Sequence, residues 1–192
     1  DDISLLEIHL KRIKKSKQID KLIVATTGKK EDNVIVKIAQ NENVEFFRGE
    51  ENDVLDRYYN AAKKHNPEFV VRLTSDCTLI DPLLIDLHVN EFEKRNVDYL
   101  SSHLSKNFPN GFEVQIFPTK ILEDAYSRTI SEEDKEHVTL YIYNNPELYN
   151  IFSVESPFDE KFKKIKLSLD TEEDYINISK IFTEMYPKKK QF

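Results

Sequence analysis

Short β-branched runs that end in polar residues alternate along this chain with longer segments of helical period. KLIVATT (21–27), VEFFRG (44–49), FVVRLTSD (69–76), DYLSS (98–102), EVQIF (113–117), IFSVE (151–155) and IKLSLD (165–170) read as strands. LLEIHLKRIKK, residues 31–42, DVLDRYYNAAKKH, LIDPLLIDLHVNEFEKRN, TKILEDAYSRTI, EDKEHVTLYIYNNP and TEEDYINISKIFTEMY read as helices. Asp53 and Asp81 suit N-cap positions, with Pro82 at a first helical position, and Thr171 or Asp170 suits the last cap. Strands and helices joined by short connections predict an α/β fold: a mainly parallel, doubly wound sheet with helices on both faces. A length of 192 residues fits one such domain. The polar stretch 105–111, with Pro109 and Gly111, reads as a loop, and residues from about 101 to 116 should leave the sheet as a loop or hairpin over the ligand site.

Composition excludes several classes. The net charge of −7 argues against bulk nucleic-acid or anionic-membrane binding. No apolar run approaches the roughly 18 residues of a membrane span. Twelve Phe and nine Tyr provide enough apolar surface for a packed core. One Cys cannot build an intrachain disulfide framework or a thiolate metal cluster. These features predict a cytoplasmic globular domain. No GxGxxG or Walker sequence is present, so a phosphate site would need a few local cations or a metal.

In an open α/β sheet, ligands bind outside the carboxyl ends of the strands. That rule selects Thr26, Thr27, Arg48, Gly49, Thr74 to Asp76, and Asp170. Asp76 has two readings, a carboxylate held for Mg²⁺ at a strand tip or, with Asp81, a cap of the next helix. Asp170 has the same two, and spacing alone favours the cap. Arg48 could grip a phosphate or a base edge with its planar fork, or pair with Glu50 or Glu51. His103 follows a strand and is a site candidate, whereas His137 falls on an apolar-rich helix and reads as a packing or hydrogen-bonding residue. Cys77 reads as a small packing residue before a nucleophile.

Two blocks carry a resemblance: FFRGEENDVLDRYYNAA and VVRLTSDCTLIDPLLID. With NFPNGFEVQIF, EHVTLYIYNNPE and LDTEEDY, they resemble, in order and over nearly the whole chain, the cytidylyltransferase family that includes CMP-sialic acid and CMP-KDO synthetases. The spore-coat-polysaccharide branch is the nearest in pattern. Ser75 stands where Gly is usual, Thr78 where Pro is usual, and Glu113 and Gln115 where Asp and Glu are usual.

The resemblance implies a Rossmann-like nucleotidyltransferase that moves CMP from CTP to an acidic sugar or phosphorylated acceptor, releasing pyrophosphate for polysaccharide synthesis. Asp76 and Asp170 match the family's catalytic, Mg²⁺-binding carboxylates. Ala25, Thr26, Thr27, Arg48 and Thr74 match its nucleotide side, and His103, Gly111, Glu113 and Gln115 its acceptor side. The expected partners are CTP and a sugar or polyol-type acceptor, with no nucleic acid, no membrane insertion and room for a homodimer. The family's first strand and basic glycine-containing phosphate loop would precede DDISLLE, so the expected domain, residues 1–192, lacks them. Two other readings stand beside this one: a same-fold transferase using another nucleotide and a sugar 1-phosphate, and a catalytically idle binding module.

Overall fold

The computed structural model describes residues 3–105 and 108–186. In chain order the elements begin α1 (Leu5–Ile13), β1 (Ile23–Thr27), α2 (Asn33–Asn41), β2 (Glu45–Gly49), α3 (Val54–His65), β3 (Phe69–Arg72) and α4 (Pro82–Glu93). They continue β4 (Tyr99–Ser101), β5 (Gln115–Pro118), α5 (Thr119–Arg128), α6 (Glu132–His137), α7 (Leu140–Asn144), β6 (Ile151–Ser153) and α8 (Glu172–Met185). Caps fall where the side chains predict. Asp53 accepts the Asp56 N–H at 2.7 Å, and Asp81 accepts the Leu83 N–H at 2.8 Å before Pro82.

The strands lie in two hydrogen-bonded groups. β1 and β2 pair in parallel, and the second sheet has the order β3-β5-β4-β6. Within it β4 and β6 are parallel, while β5 runs antiparallel to both neighbours. The architecture is therefore α/β, with a parallel two-stranded sheet and a mixed four-stranded one in place of a mainly parallel sheet. The cause is the connection from β4 to β5, which turns back as a hairpin. The Ser102 N–H bonds the Val114 carbonyl at 3.2 Å, and the Val114 N–H bonds Ser102 Oγ at 2.9 Å. This is the segment expected to leave the sheet. β3, the most apolar run, ends one sheet, and all four of its residues are half-buried.

Period-2 alternation divides the core into two layers. Leu100 and Ile116 face one side, where α4 contributes Leu84, Ile85, Val89 and Phe92. Tyr99 and Phe117 face the other, against Leu55 and Ala62 of α3 and Ile121, Leu122 and Ala125 of α5. Helices thus cover both faces. α1 packs on both α2 and α4, and Leu22 belongs to the clusters of both sheets.

Two elements differ from expectation. IKLSLD forms no strand; only an isolated bridge joins Lys166 to Asn110. EDKEHVTLYIYNNP breaks into α6 and α7, because Val138 takes φ 59° and ψ −55°. The Thr139 N–H then reaches the His137 carbonyl at 2.5 Å, a γ-turn of the rare, strained kind. Among the described residues no helix is long and apolar enough to cross a membrane.

Candidate active site

β3 stops at Arg72, and the chain then winds through a tight turn to the cap of α4. The Cys77 N–H bonds the Thr74 carbonyl and the Ile80 N–H bonds the Cys77 carbonyl, each at 3.1 Å. Arg12 of α1 secures this turn from below. Its Nε donates to the Ile80 carbonyl at 2.9 Å and its Nη2 to the Leu79 carbonyl at 3.1 Å, in buried surroundings. His9 lies one helical turn before Arg12 and is also buried. Burial pushes its imidazole down to about 4, so the ring is neutral near pH 7.

Asp76 sits in this turn, and its carbonyl accepts the N–H of Leu169 at 3.0 Å. That bond brings together two segments far apart in the sequence and sets Asp170 beside the Asp76 turn. Neither aspartate caps a helix. Asp81 caps α4, and Thr171 caps α8 through a capping box with Asp174. Asp76 Oδ1 is buried without a hydrogen-bond partner. The Asp170 carboxylate pairs with Lys166 Nζ at 2.8 Å and accepts Ser168 Oγ at 2.8 Å. Lys166 first, and Ser168 after it, hold that carboxyl below the usual range. Among the described residues no three acidic, His or Cys side chains gather as a ready metal cluster.

The acceptor-side candidates form a second group around β5. Gln115 Oε1 accepts Arg72 Nη1 and Thr139 Oγ1, both at 2.9 Å. Tyr99 Oη extends this chain to Thr139 at 3.4 Å. His103, in the 3-10 turn after β4, places Nδ1 3.6 Å from Glu113 Oε1, and its ring lies 6.1 Å from that of Tyr143. Gly111 takes φ +100°, and a Cβ there would lie 2.5 Å from the Leu167 carbonyl carbon. The loop thus rests directly on the backbone that leads to Asp170.

Four of the nucleotide-side candidates, Ala25, Thr26, Thr27 and Arg48, gather on the other sheet, whereas Thr74 lies in the turn after β3. Thr26 pairs with Arg48 in the β1–β2 register, and Ala25 with Phe47. Asp32 accepts Thr26 Oγ1 and the Thr27 N–H, each at 3.3 Å, and also bonds Thr27 Oγ1. Arg48 is not paired with Glu50 or Glu51. It donates to the Thr27 carbonyl at 2.7 Å, to Asn33 Oδ1 at 2.8 Å, and to the Lys29 carbonyl. Its fork therefore shapes the loop after β1, and Lys29 takes the ion pair with Glu51. Thr27, Gly28, Lys29, Gly49, Glu50, Glu51 and Asn52 line an open cleft at these strand ends.

Thr74 Oγ1 lies 3.3 Å from Cys77 Sγ, and burial pushes that buried thiol up to about 12, too high for a nucleophile near neutral pH. His137 is exposed rather than packed. Sequence reasoning missed Arg12, Asp32, Thr139 and Lys166, because each acts through a partner distant in sequence or through a loop.

A family model described as cytidylyltransferase matches residues 2–192. The protein MJ1063 of Methanocaldococcus jannaschii is 44% identical over 184 residues, which cover 94% of this chain and 74% of that one. The spore coat polysaccharide biosynthesis protein SpsF of Bacillus subtilis is 31% identical over 183 residues, covering 93% and 75%. The structure of a cytidylyltransferase from Leptospira borgpetersenii superposes with a TM-score of 0.86 at 29% identity, covering 96% of this chain and 85% of that one.

Proposed function

The chain belongs to the cytidylyltransferase family, and from that premise we propose that it transfers CMP from CTP to an acidic sugar or phosphorylated acceptor for glycan synthesis. The acceptor oxygen attacks the α-phosphorus, the bond to the β-phosphate breaks, and pyrophosphate leaves. The chain needs no covalent nucleophile for this, in agreement with the inert Cys77 thiol. Its work is to position two substrates and to compensate charge.

The observation that carries the reading is the bond from the Leu169 N–H to the Asp76 carbonyl. It brings together the two turns whose aspartates are left over once Asp81 and Thr171 have taken the caps. Mg²⁺ fits this pair, because Asp76 keeps a buried carboxylate oxygen without a partner, and a hard cation takes one or two carboxylates with phosphate oxygens and water. Bound there, it would supply charge neutralisation for the phosphates.

The protein's own groups divide the rest. Arg48 and Asp32 hold the Thr26–Thr27 strand end in shape for the nucleotide, and the Thr74–Cys77 turn closes the side nearest Asp76. His103, Glu113, Gly111 and Gln115 shape the acceptor side, and Arg72 and Thr139 fix the Gln115 amide. Among the described residues β1 pairs only with β2 and β3 only with β5, so each keeps an edge suited to a further strand. A strand there carrying a basic glycine loop would bring the cations a triphosphate requires.

The test is pyrophosphate release with CTP against a panel of acidic sugars and phosphorylated polyols. Release that depends on one member of the panel and on Mg²⁺ supports the reading. CTP left intact with every acceptor contradicts it.

A further inference from the structure

Lys166 stands between two carboxylates. Its Nζ lies 2.8 Å from Asp170 Oδ2 and 2.5 Å from Asp174 Oδ2. Its backbone is fixed on both sides: the Asn110 N–H bonds the Ile165 carbonyl at 3.1 Å, and the Leu167 N–H bonds the Asn110 carbonyl at 2.7 Å. Gly111 packs against the same backbone with no room for a Cβ. The side chain is less constrained, being 40% exposed.

The two carboxylates differ in what else holds them. Asp174 Oδ2 also accepts the N–H groups of Asp170 and Thr171, which secures it as the third residue of the α8 capping box. It would keep its place without the lysine. Asp170 is 51% exposed, and besides Lys166 its carboxylate has the Ser168 hydroxyl. An ammonium and a divalent cation compete for the same carboxylate oxygen, and they repel each other when both are near.

We infer that Lys166 is the resident counter-ion of Asp170, holding that carboxylate until a divalent cation replaces the ammonium. The inference rests on the reading of Asp76 and Asp170 as metal ligands. Lys166 is accordingly a positioning residue, with two effects. It keeps Asp170 in place while the site is empty, and it weakens cation binding when no nucleotide is present. A site of this kind favours the cation that arrives with a triphosphate, whose oxygens add the ligands that outweigh the lysine.

The test is Mn²⁺ binding to the whole chain without nucleotide, followed by electron paramagnetic resonance. Five proteins are compared: wild type, Lys166→Met, Asp170→Asn, the Lys166→Met/Asp170→Asn double variant and Asp76→Asn, with circular dichroism to verify folding. Lys166→Gln serves if the Met variant does not fold. Removing the lysine should tighten Mn²⁺ binding by about threefold or more, the scale of a partly exposed ion pair. That gain should vanish in the Asp170→Asn background. Lys166→Met should also melt lower than wild type without metal and recover in Mn²⁺. Unchanged or weaker Mn²⁺ binding in Lys166→Met overturns the inference. So does a gain that persists without Asp170, which would reflect net charge alone. Asp76→Asn separates the two levels. If Asp76→Asn and Asp170→Asn both bind Mn²⁺ like wild type, the metal reading fails and takes this inference with it. If they bind weakly while Lys166→Met gains nothing, the counter-ion inference alone fails.

Discussion

The main-chain N–H of Leu169 donates to the main-chain carbonyl of Asp76 at 3.0 Å. A backbone bond tolerates little displacement, so the turn after β3 and the turn before α8 move as one piece. Arg12 fixes the first turn through the Leu79 and Ile80 carbonyls, and the Asn110–Lys166 bridge ties the second to the acceptor loop. Three parts of the chain thus converge on the two aspartates without using their carboxylates.

The Arg12 side of this frame carries a pH signature. His9 is 3% exposed, and burial lowers its imidazole from 6.5 to about 4. The folded chain therefore binds this proton less well than the unfolded chain. Its contribution is complete above about pH 6.5 and is lost as the pH falls toward 4, a change on the order of 3 kcal/mol. Depressed carboxylates such as Asp170 lose theirs lower, below about pH 4. Denaturant midpoints measured from pH 7 to 4.5 should fall, and His9→Gln should flatten the slope. An equal slope in both proteins would contradict this account.

Gly111 is a test of the loop's contact with the 165–168 backbone. Its φ of +100° disfavours any side chain, and the added Cβ would meet backbone atoms of Leu167 and Ser168 at 2.5–2.7 Å. Gly111→Ala should cost roughly 2 kcal/mol or more. In a domain of this size that lowers Tm by about 4–8 °C. A Tm equal to wild type would show that the loop does not rest there.

Gln115 is 7% exposed and accepts both Arg72 and Thr139. Gln115→Leu leaves the guanidinium and the hydroxyl without that acceptor and should cost about 2 kcal/mol or more. Gln115→Glu keeps an acceptor oxygen and adds charge opposite Arg72, so its denaturation midpoint should stay near wild type. Glu113→Gln should change which acceptor is used and leave CTP affinity nearly unchanged. Loss of CTP affinity with the same acceptor preference would move Glu113 to the nucleotide side.

The strand–helix alternation and the caps at Asp53, Asp81 and Thr171 were legible because both are local properties of the chain. The carboxyl-end rule drew attention to Asp76 and Asp170 for the same reason: each follows an apolar run. Three features were not legible. EHVTLYI keeps an unbroken helical period, yet Val138 breaks it at a φ that a β-branched residue opposes. IKLSLD has strand composition, but it bridges a loop at Asn110 instead of joining a sheet edge. Arg12 lies in the basic run KRIKK, and its carbonyl partners lie far along the sequence. IKLSLD and Arg12 were decided by partners distant in sequence, and the Val138 turn buries Val138 in the core while the Thr139 hydroxyl reaches Gln115, none of which local pattern encodes.

Asp76→Asn tests the central claim most directly, measured as pyrophosphate release from CTP with the acceptor that the panel identifies. Asn keeps the size and one oxygen but removes the charge, and Asp81 still caps α4. The rate should fall by about 100-fold or more, because a charge-compensating ligand of the phosphates is lost. Tm should stay within about 2 °C, since Asp76 caps no helix and its buried Oδ1 has no hydrogen-bond partner to lose. An Asp76→Asn protein that folds normally and releases pyrophosphate at the wild-type rate would contradict the metal role of Asp76, and Asp170 would lose its role with it.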